Sequence, residues 1–301
     1  YIDIAPTLSG RTAVPFIFKG GTSLSKCSNI IDRMSEDIDL SFSMELLECH
    51  EVVREPTKSR KKMEGEADEI DKKARVFVLD ELIKPLTLAL KALDDRIEVN
   101  IENEEPLHLG IHYPSVINEG NAVQRRVLLE TGSLSQNNPV EYVGITHMLG
   151  ECISQFKEPD FEVVSLKPER TMIEKIFGVH CNLLKNQRRP KYARHLHDIL
   201  KLHERDNTWY DNKQLLLDHV EFCDIHYRVN LDCCKAAING PLKLFPTTEE
   251  MIVHYRNDWE TMADMFPLGQ LPYTFEELEV AMRQFENDIN ILYYTASEND
   301  E

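Results

Sequence analysis

The chain has 301 residues, of which 42% are hydrophobic and 29% charged, and its formal net charge is −18. This length and composition fit one or two globular cores and exclude a disordered or low-complexity protein. No stretch of the sequence reaches the roughly 18 consecutive apolar residues that a membrane span needs, and so acidic a protein has no general electrostatic attraction for nucleic acid.

Seven cysteines are scattered along the chain, at positions 27, 49, 152, 181, 223, 233 and 234. They form no Cys-x-x-Cys pair, and an odd number without regular spacing favours reduced thiols. The composition therefore predicts a cytoplasmic protein without a disulfide framework.

An apolar run of β character, residues 14–18, leads directly into Lys19, Gly20 and Gly21. This order predicts a strand, a tight glycine turn and a short helix that begins at Thr22. Glycine lets the backbone approach an anion closely, and N–H groups at a turn-to-helix junction point towards phosphate oxygens. The segment is a candidate phosphate-binding turn, although it also fits an ordinary turn with a helix cap.

Residues 37–43 predict a second strand that carries two carboxylates. Side chains alternate along a strand, so Asp37 and Asp39 share one face while Ile38 and Leu40 face the core. Carboxylates are hard ligands for Mg²⁺, and two of them beside a phosphate-binding turn suit metal-dependent phosphoryl transfer. A solvated strand edge is the alternative interpretation.

Together, residues 19–26 and 33–40 resemble the motifs of the AbiEii/AbiGii-type nucleotidyltransferase toxins, which belong to the DNA polymerase β-like, minimal nucleotidyltransferase superfamily. That family pattern is Lys-Gly-Gly-Thr-x-Leu followed by Arg-x-Ser-Glu-Asp-Ile-Asp-Leu, and the chain matches nearly every position. The resemblance implies an α/β (α+β) fold, with a polymerase-β-like sheet and flanking helices followed by a helical C-terminal domain.

The same resemblance implies the residues of the site. Asp37 and Asp39 are expected to be catalytic metal ligands. The residues expected to bind the nucleotide are Lys19, Gly20, Gly21, Thr22, Ser23, Lys26, Arg33 and Lys175. Within this set, either Lys19 or Lys26 can reach phosphate. Arg33 either orders the second strand or contacts phosphate. Thr22 fits a helix cap as well as a nucleotide contact.

A charged stretch, residues 58–92, places apolar side chains at helical spacing, namely Val76, Leu79, Leu82, Ile83 and Leu86. Two strands are predicted after it, at residues 95–102, with half-buried alternation, and at residues 125–131. Glu130 on the second of these strands is the candidate third carboxylate, as general base or metal ligand. Glu102 and Glu98 are the alternatives.

From about residue 146 the pattern is mostly helical, with helices predicted from Pro168, over residues 191–204 and over residues 274–294. The predicted domains are therefore residues 1–145, the nucleotidyltransferase domain, and residues 146–301, a helical domain that completes the active-site cleft.

Two segments of the second half resemble further family motifs, around Lys175 and around Asp198. The resemblance implies that Lys175, on a helix face shared with Thr171 and opposite the apolar one, binds the triphosphate and neutralises charge on the leaving pyrophosphate. Asp198 is expected to orient Lys175 or to position the acceptor. The alternative is a surface ion pair between Arg194 and Asp198, one helical turn apart.

Other chemistries are disfavoured. His195 and His197 lie on different helix faces, which argues against a shared zinc ion, and the glycine turn lacks the Gly-Lys-Ser/Thr ending of a Walker loop. The basic cluster at residues 185–194 predicts a solvated interhelix loop, with a local RNA contact as the alternative.

The predicted function is Mg²⁺-dependent transfer of NMP from an NTP to an acceptor hydroxyl, with release of pyrophosphate. The resemblance implies a toxin of a toxin–antitoxin or abortive-infection system, with an acceptor such as a tRNA 3′ end and a cognate antitoxin as partner. The alternatives are transfer to a small molecule or protein side chain, and a non-catalytic nucleotide-binding module. The presence of both Asp37 and Asp39 argues against the last.

Overall fold

The computed structural model describes residues 16–35, 37–104, 107–114, 126–132, 138–145, 153–156, 161–227 and 231–295. The chain forms two compact units, one of Tyr1–Cys27 with Ser35–Leu166 and one of Ser28–Met34 with Lys167–Glu301. The predicted boundary after residue 145 is therefore too early, because the last strand of the first unit's sheet ends at Leu166. No pattern along the chain indicates that residues 28–34 belong to the second unit.

The first unit contains one seven-stranded mixed sheet. Its strands are β1 (Phe16–Lys19), β2 (Asp37–Phe42), β3 (Glu98–Glu104), β4 (Leu107–His112), β5 (Arg126–Gly132), β6 (Val140–Ile145) and β7 (Phe161–Leu166), in the spatial order β3-β4-β5-β2-β1-β7-β6. β2 is parallel to β5 and β1 to β7, whereas the other neighbours are antiparallel. The predicted α/β (α+β) class is confirmed.

Two strands differ from their predictions. β7 lies in the part expected to be mostly helical, and its residues 163–166 are all buried, so it lacks the alternation that marks a half-buried strand. β3 begins at Glu98, three residues later than predicted, and its side chains are exposed apart from the partly covered Val99. The reason is its position at the edge of the sheet.

The helices of the first unit are α1 (Gly20–Lys26), α2 (Arg60–Val76) and α3 (Ile83–Leu93), with a π-helical turn at Phe77–Leu82 between the last two. Val76, one of the apolar residues noted at helical spacing, is 55% exposed. The buried stripe of α2 reaches Ala74, and the next positions at helical spacing are the buried Phe77 and Val78.

Three aromatic rings form a core on one face of the sheet. Phe42 lies edge-on to Phe77 with 5.3 Å between ring centroids, and Phe16 lies 5.7 Å from Phe42. These contacts pack the π-helical turn against β1 and β2. The alternate positions of β2, on the other face of the sheet, include Asp37 and Asp39.

The second unit is helical. Its helices are α4 (Pro168–Leu184), α5 (Arg194–Arg205), α6 (Lys213–His226), α7 (Leu231–Asn239), α8 (Glu249–Glu260) and α9 (Phe275–Tyr294). α4 starts at Pro168 as predicted, and α9 opens with a capping box in which Thr274 and Glu277 satisfy each other's backbone N–H groups. Among the described helices, none has the length and apolarity needed to cross a membrane.

Candidate functional site

Four polar residues occupy one registered row across four neighbouring strands of the first unit. Lys19 on β1 pairs with Asp39 on β2, Asp39 with Glu130 on β5, and Glu130 with His108 on β4. Residues that pair in register point to the same face of a sheet, and adjacent strands lie about 4.8 Å apart. The row therefore brings a cation, two carboxylates and an imidazole together on one face.

Asp37 adds a third carboxylate, because it lies two residues before Asp39 on the same strand face. Burial, the charges of Asp39 and Asp37 and a hydrogen bond with Asp39 raise the pKa of Glu130 to about 7, although Lys19 opposes this shift. Glu130 thus lies close enough to Asp37 and Asp39 for their charges to act on it. Glu130, rather than Glu98 or Glu102 on the edge strand β3, is the glutamate beside the aspartates.

The first glycine of the predicted turn fits closely against Asp39. Gly20 has a φ of +68°, and a Cβ atom added to it would lie 2.1 Å from Asp39 Oδ2. A helix predicted to begin at Thr22 instead begins at Gly20, because this single left-handed residue turns the chain from β1 into α1. The backbone of Gly20 and the carboxylate of Asp39 are direct neighbours.

The remaining predicted nucleotide contacts on α1 differ in their exposure. Thr22 donates its hydroxyl to the carbonyl of Asp37, so it links α1 to β2. Ser23 is fully buried, and its hydroxyl donates to the carbonyl of Gly20 at 3.0 Å. The Ser23 hydroxyl is therefore used within α1, and the prediction that Ser23 binds the nucleotide stays a prediction. Lys26 lies at the last turn of α1, about 9 Å along the helix from Gly20, whereas Lys19 stands beside Asp39.

The carboxylates fit a divalent cation only if the substrate supplies the remaining ligands of the cation's coordination shell. In the described part of the chain, no group of three or more His, Cys, Asp or Glu side chains is arranged to hold a metal ion by itself. Mg²⁺ is commonly held by one or two carboxylates together with substrate phosphates and water, rather than by an all-protein cage. Asp37 and Asp39 on one strand face supply such a donor set.

In the second unit, Asp198 lies at the centre of a buried ionic cluster. It is fully buried and accepts two hydrogen bonds from Arg33, from Nε at 2.7 Å and from Nη2 at 2.6 Å. Lys175 Nζ lies 2.9 Å from Asp198 Oδ2. Burial alone would raise the pKa of Asp198, but the charges of Lys175 and Arg33 outweigh it and hold that pKa well below its usual range.

Two histidines border this cluster. His197 is fully buried with its Nδ1 atom 3.4 Å from Asp198 Oδ1, and its ring packs 5.0 Å from that of Phe266. Burial and the charge of Lys175 lower the pKa of His195 well below its ordinary value, so the imidazole is held neutral. Its Nδ1 atom lies 3.5 Å from Lys175 Nζ.

The contacts change three details of the sequence interpretation. Asp198 belongs to the buried cluster, so the surface ion pair with Arg194 is wrong. The face of α4 that carries Thr171 and Lys175 is buried, since Thr171 is 1% exposed and Lys175 is 9% exposed. Arg33 is only 3% exposed and is committed to Asp198 and to the carbonyl of Met34, which favours an ordering role over a phosphate contact.

Sequence reasoning did not identify His108, whose Nδ1 atom lies 3.9 Å from Glu130 Oε1. Burial lowers the pKa of His108, although the charges of Asp37 and Asp39 oppose the shift. The available signal was the alternation in Leu-His-Leu-Gly-Ile-His, residues 107–112, which marks a strand with His108 and His112 on one face.

Comparison with known proteins places the chain in a family. The model of the nucleotidyl transferase AbiEii toxin family, of type IV toxin–antitoxin systems, matches residues 10–281. Among solved structures, MenT4, a nucleotidyltransferase toxin of Mycobacterium tuberculosis H37Rv, is similar over 96% of this chain and 91% of that chain. Its sequence identity is 16% and its TM-score 0.39, a likeness too low to support an argument. None of the curated proteins matches the chain.

The family match spans most of the chain, including both strands with the carboxylates and the helices with Lys175 and Asp198. The chain therefore belongs to the AbiEii family of nucleotidyltransferase toxins of type IV toxin–antitoxin systems.

Proposed function

We propose that this nucleotidyltransferase toxin transfers NMP from an NTP to an acceptor hydroxyl in a Mg²⁺-dependent reaction. The observation that carries the proposal is the registered row of Lys19, Asp39 and Glu130, with Asp37 on the same strand face. It supplies a cation for the triphosphate, carboxylates for a metal ion and a carboxylate with a raised pKa as base. These are the groups that phosphoryl transfer requires.

In this proposal the triphosphate lies at the β1 end of the row. Lys19 neutralises phosphate charge, and the bare Cα of Gly20 lets the substrate approach Asp39 without a side chain between them. Asp37 and Asp39 would hold Mg²⁺, which would supply positive charge to offset the charge that develops during phosphoryl transfer.

Glu130 acts as the general base. Its carboxylate takes the proton of the acceptor hydroxyl as that oxygen forms a bond to the α-phosphorus. The bond from the α-phosphorus to the bridging oxygen breaks, and pyrophosphate leaves with that oxygen. His108, kept neutral by burial, positions Glu130 from the neighbouring strand.

Lys175 and Asp198 are proposed to assist the leaving group. The contact of 2.9 Å between Lys175 Nζ and Asp198 Oδ2 supports an orienting role for Asp198. Arg33 shares the same carboxylate and fixes its direction, since two parallel N–H···O bonds define the plane of the pair. In this arrangement Asp198 fixes the position of the Lys175 charge.

We propose an RNA acceptor such as a tRNA 3′ end, in the cytoplasm, and a cognate antitoxin as protein partner. Membership of a type IV toxin–antitoxin family supports the antitoxin. An exposed basic loop between α4 and α5, with Lys185, Arg188 and Arg189, supports a local RNA contact on a chain of net charge −18. A small molecule or a protein side chain is the second candidate acceptor, which the overall acidity favours.

The test is incubation of the purified protein with each α-³²P-labelled NTP, Mg²⁺ and total RNA. Label in RNA is the expected result, and it must disappear on chelation of the metal. Label in a protein band or in a small product identifies the second candidate. Absence of label in every fraction, with each of the four NTPs, contradicts the proposed reaction.

A further inference from the structure

The sheet face that carries the carboxylates continues along β5 to an arginine. Arg126 and Glu130 share that face because they are four residues apart on one strand, a distance of about 13 Å. His112 on β4 lies opposite Arg126, just as His108 lies opposite Glu130. The carboxylate site therefore has a basic neighbour on the side away from β1.

Arg126 has an unsatisfied donor. Its Nη1 atom is shielded from solvent and has no hydrogen-bond partner among the residues that the structure describes. Buried polar groups in native proteins are nearly always paired, so an unpaired guanidinium N–H calls for an explanation such as a ligand. The carboxylate near His112 contacts that histidine instead, with Glu102 Oε1 2.7 Å from His112 Nε2.

The strand order indicates which ligand approaches from this side. Lys19 and Gly20 lie on the β1 side of Asp39, whereas Glu130 and Arg126 lie on its β5 side. In phosphoryl transfer the attacking and leaving oxygens lie roughly in line across the phosphorus. If the triphosphate is held on the β1 side, the pyrophosphate departs there and the acceptor enters from the β5 side.

We infer that Arg126 binds a phosphodiester of the acceptor strand a few nucleotides in from the reacting hydroxyl. The inference rests on the proposed function. A planar guanidinium can donate two parallel hydrogen bonds to a phosphate, and such a contact provides a hydrogen-bond acceptor for the Nη1 atom. One local site of this kind lets an acidic protein hold a polyanion without a basic surface, and it selects a nucleic acid over a lone hydroxyl compound.

The experiment measures binding of a 5′-fluorescein single-stranded oligoribonucleotide with a free 3′-hydroxyl to the full chain, by fluorescence anisotropy over a range of salt concentrations. The variants are Arg126→Ala, Arg126→Lys and the control Arg96→Ala, which removes an exposed arginine paired with Asp94. Circular dichroism verifies the fold of each. Binding of a non-hydrolysable NTP analogue is measured in parallel.

Arg126→Ala is expected to weaken oligonucleotide binding about 10- to 100-fold and to reduce the slope of log affinity against log salt by about one. Arg126→Lys keeps the charge, so its salt slope stays near that of the wild type while its affinity falls in between. Arg96→Ala stays within about twofold of the wild type. Affinity for the NTP analogue is unchanged throughout.

The inference is overturned if the wild type does not bind the oligonucleotide, or if the Arg126→Ala and Arg96→Ala variants bind it with equal affinity. It is also overturned if Arg126→Ala weakens binding of the NTP analogue and not of the oligonucleotide. Label transfer is scored separately. Binding that depends on Arg126 without any NMP transfer contradicts the proposed reaction and not the phosphate site. Transfer to a protein or small molecule, without RNA binding that depends on Arg126, contradicts the site and leaves the reaction standing.

Discussion

Gly20→Ala is the substitution whose outcome follows most directly from the geometry. Two effects add at this residue. Its φ of +68° is left-handed, which costs an L-residue with a Cβ about 1–2 kcal/mol. The new methyl group would also lie 2.1 Å from Asp39 Oδ2 and 2.7 Å from Asp39 Cγ, so the carboxylate must rotate away.

The expected result is a modest loss of stability with a large loss of activity. The free energy of unfolding should fall by about 1–2 kcal/mol, because rotation of a half-exposed Asp39 side chain adds little to the backbone strain. NMP transfer should fall by about 10²-fold or more, since a catalytic group displaced by about 1 Å already costs that much.

Urea unfolding and the labelled-NTP assay measure the two effects, and Gly65→Ala is the matched control. Gly65 lies inside α2, with nothing within 4 Å of an added Cβ, so the same change should raise the free energy of unfolding by about 0.5–1 kcal/mol and leave transfer unchanged. A Gly20→Ala protein with wild-type transfer would refute the placement of Asp39 at the reaction centre.

The remaining predictions concern the second unit. Lys175→Ala and Asp198→Ala should each slow NMP transfer about 30- to 1000-fold. The double variant should lose much less activity than the two single losses combined would give, and additive losses would mean that Asp198 acts elsewhere. Asp198→Ala should also lower the free energy of unfolding by about 3–5 kcal/mol in denaturant titrations, because Arg33 and Lys175 lose their counter-ion. Burial lowers the pKa of His180 to about 4, so between that value and about 6.5 the unfolded chain binds more protons. Stability should therefore decline as pH falls through this window, by up to about 3 kcal/mol. His180→Asn, which keeps an acceptor for the backbone N–H of Lys243, should flatten this dependence, and an unchanged pH profile would contradict the assignment.

Local patterns in the sequence were sufficient for the elements that carry their own signals. Alternation placed Asp37 and Asp39 on one face of β2, and the apolar spacing of residues 278–289 located α9. Such signals arise within a single turn or strand, so they do not depend on the rest of the fold.

Contacts between distant residues could not be predicted in the same way. The hydrogen bonds between Arg33 and Asp198 join residues 165 apart in the chain, and helical spacing suggested only that Arg194 and Asp198 are neighbours. Spacing along a helix identifies neighbours but not burial, and here tertiary packing decides the partner. His108 was missed for a similar reason, because its place beside Glu130 depends on the register between β4 and β5.

The measurement that tests the central claim most directly is NMP transfer by Asp37→Ala and Asp39→Ala over a titration of Mg²⁺. Glu98→Ala is the control, because it removes an exposed carboxylate from the edge strand of the same sheet. Each aspartate variant should keep the wild-type circular dichroism spectrum and lose transfer at every Mg²⁺ concentration, while Glu98→Ala retains it. Near-normal transfer by either aspartate variant would contradict a metal-dependent reaction at this row of carboxylates.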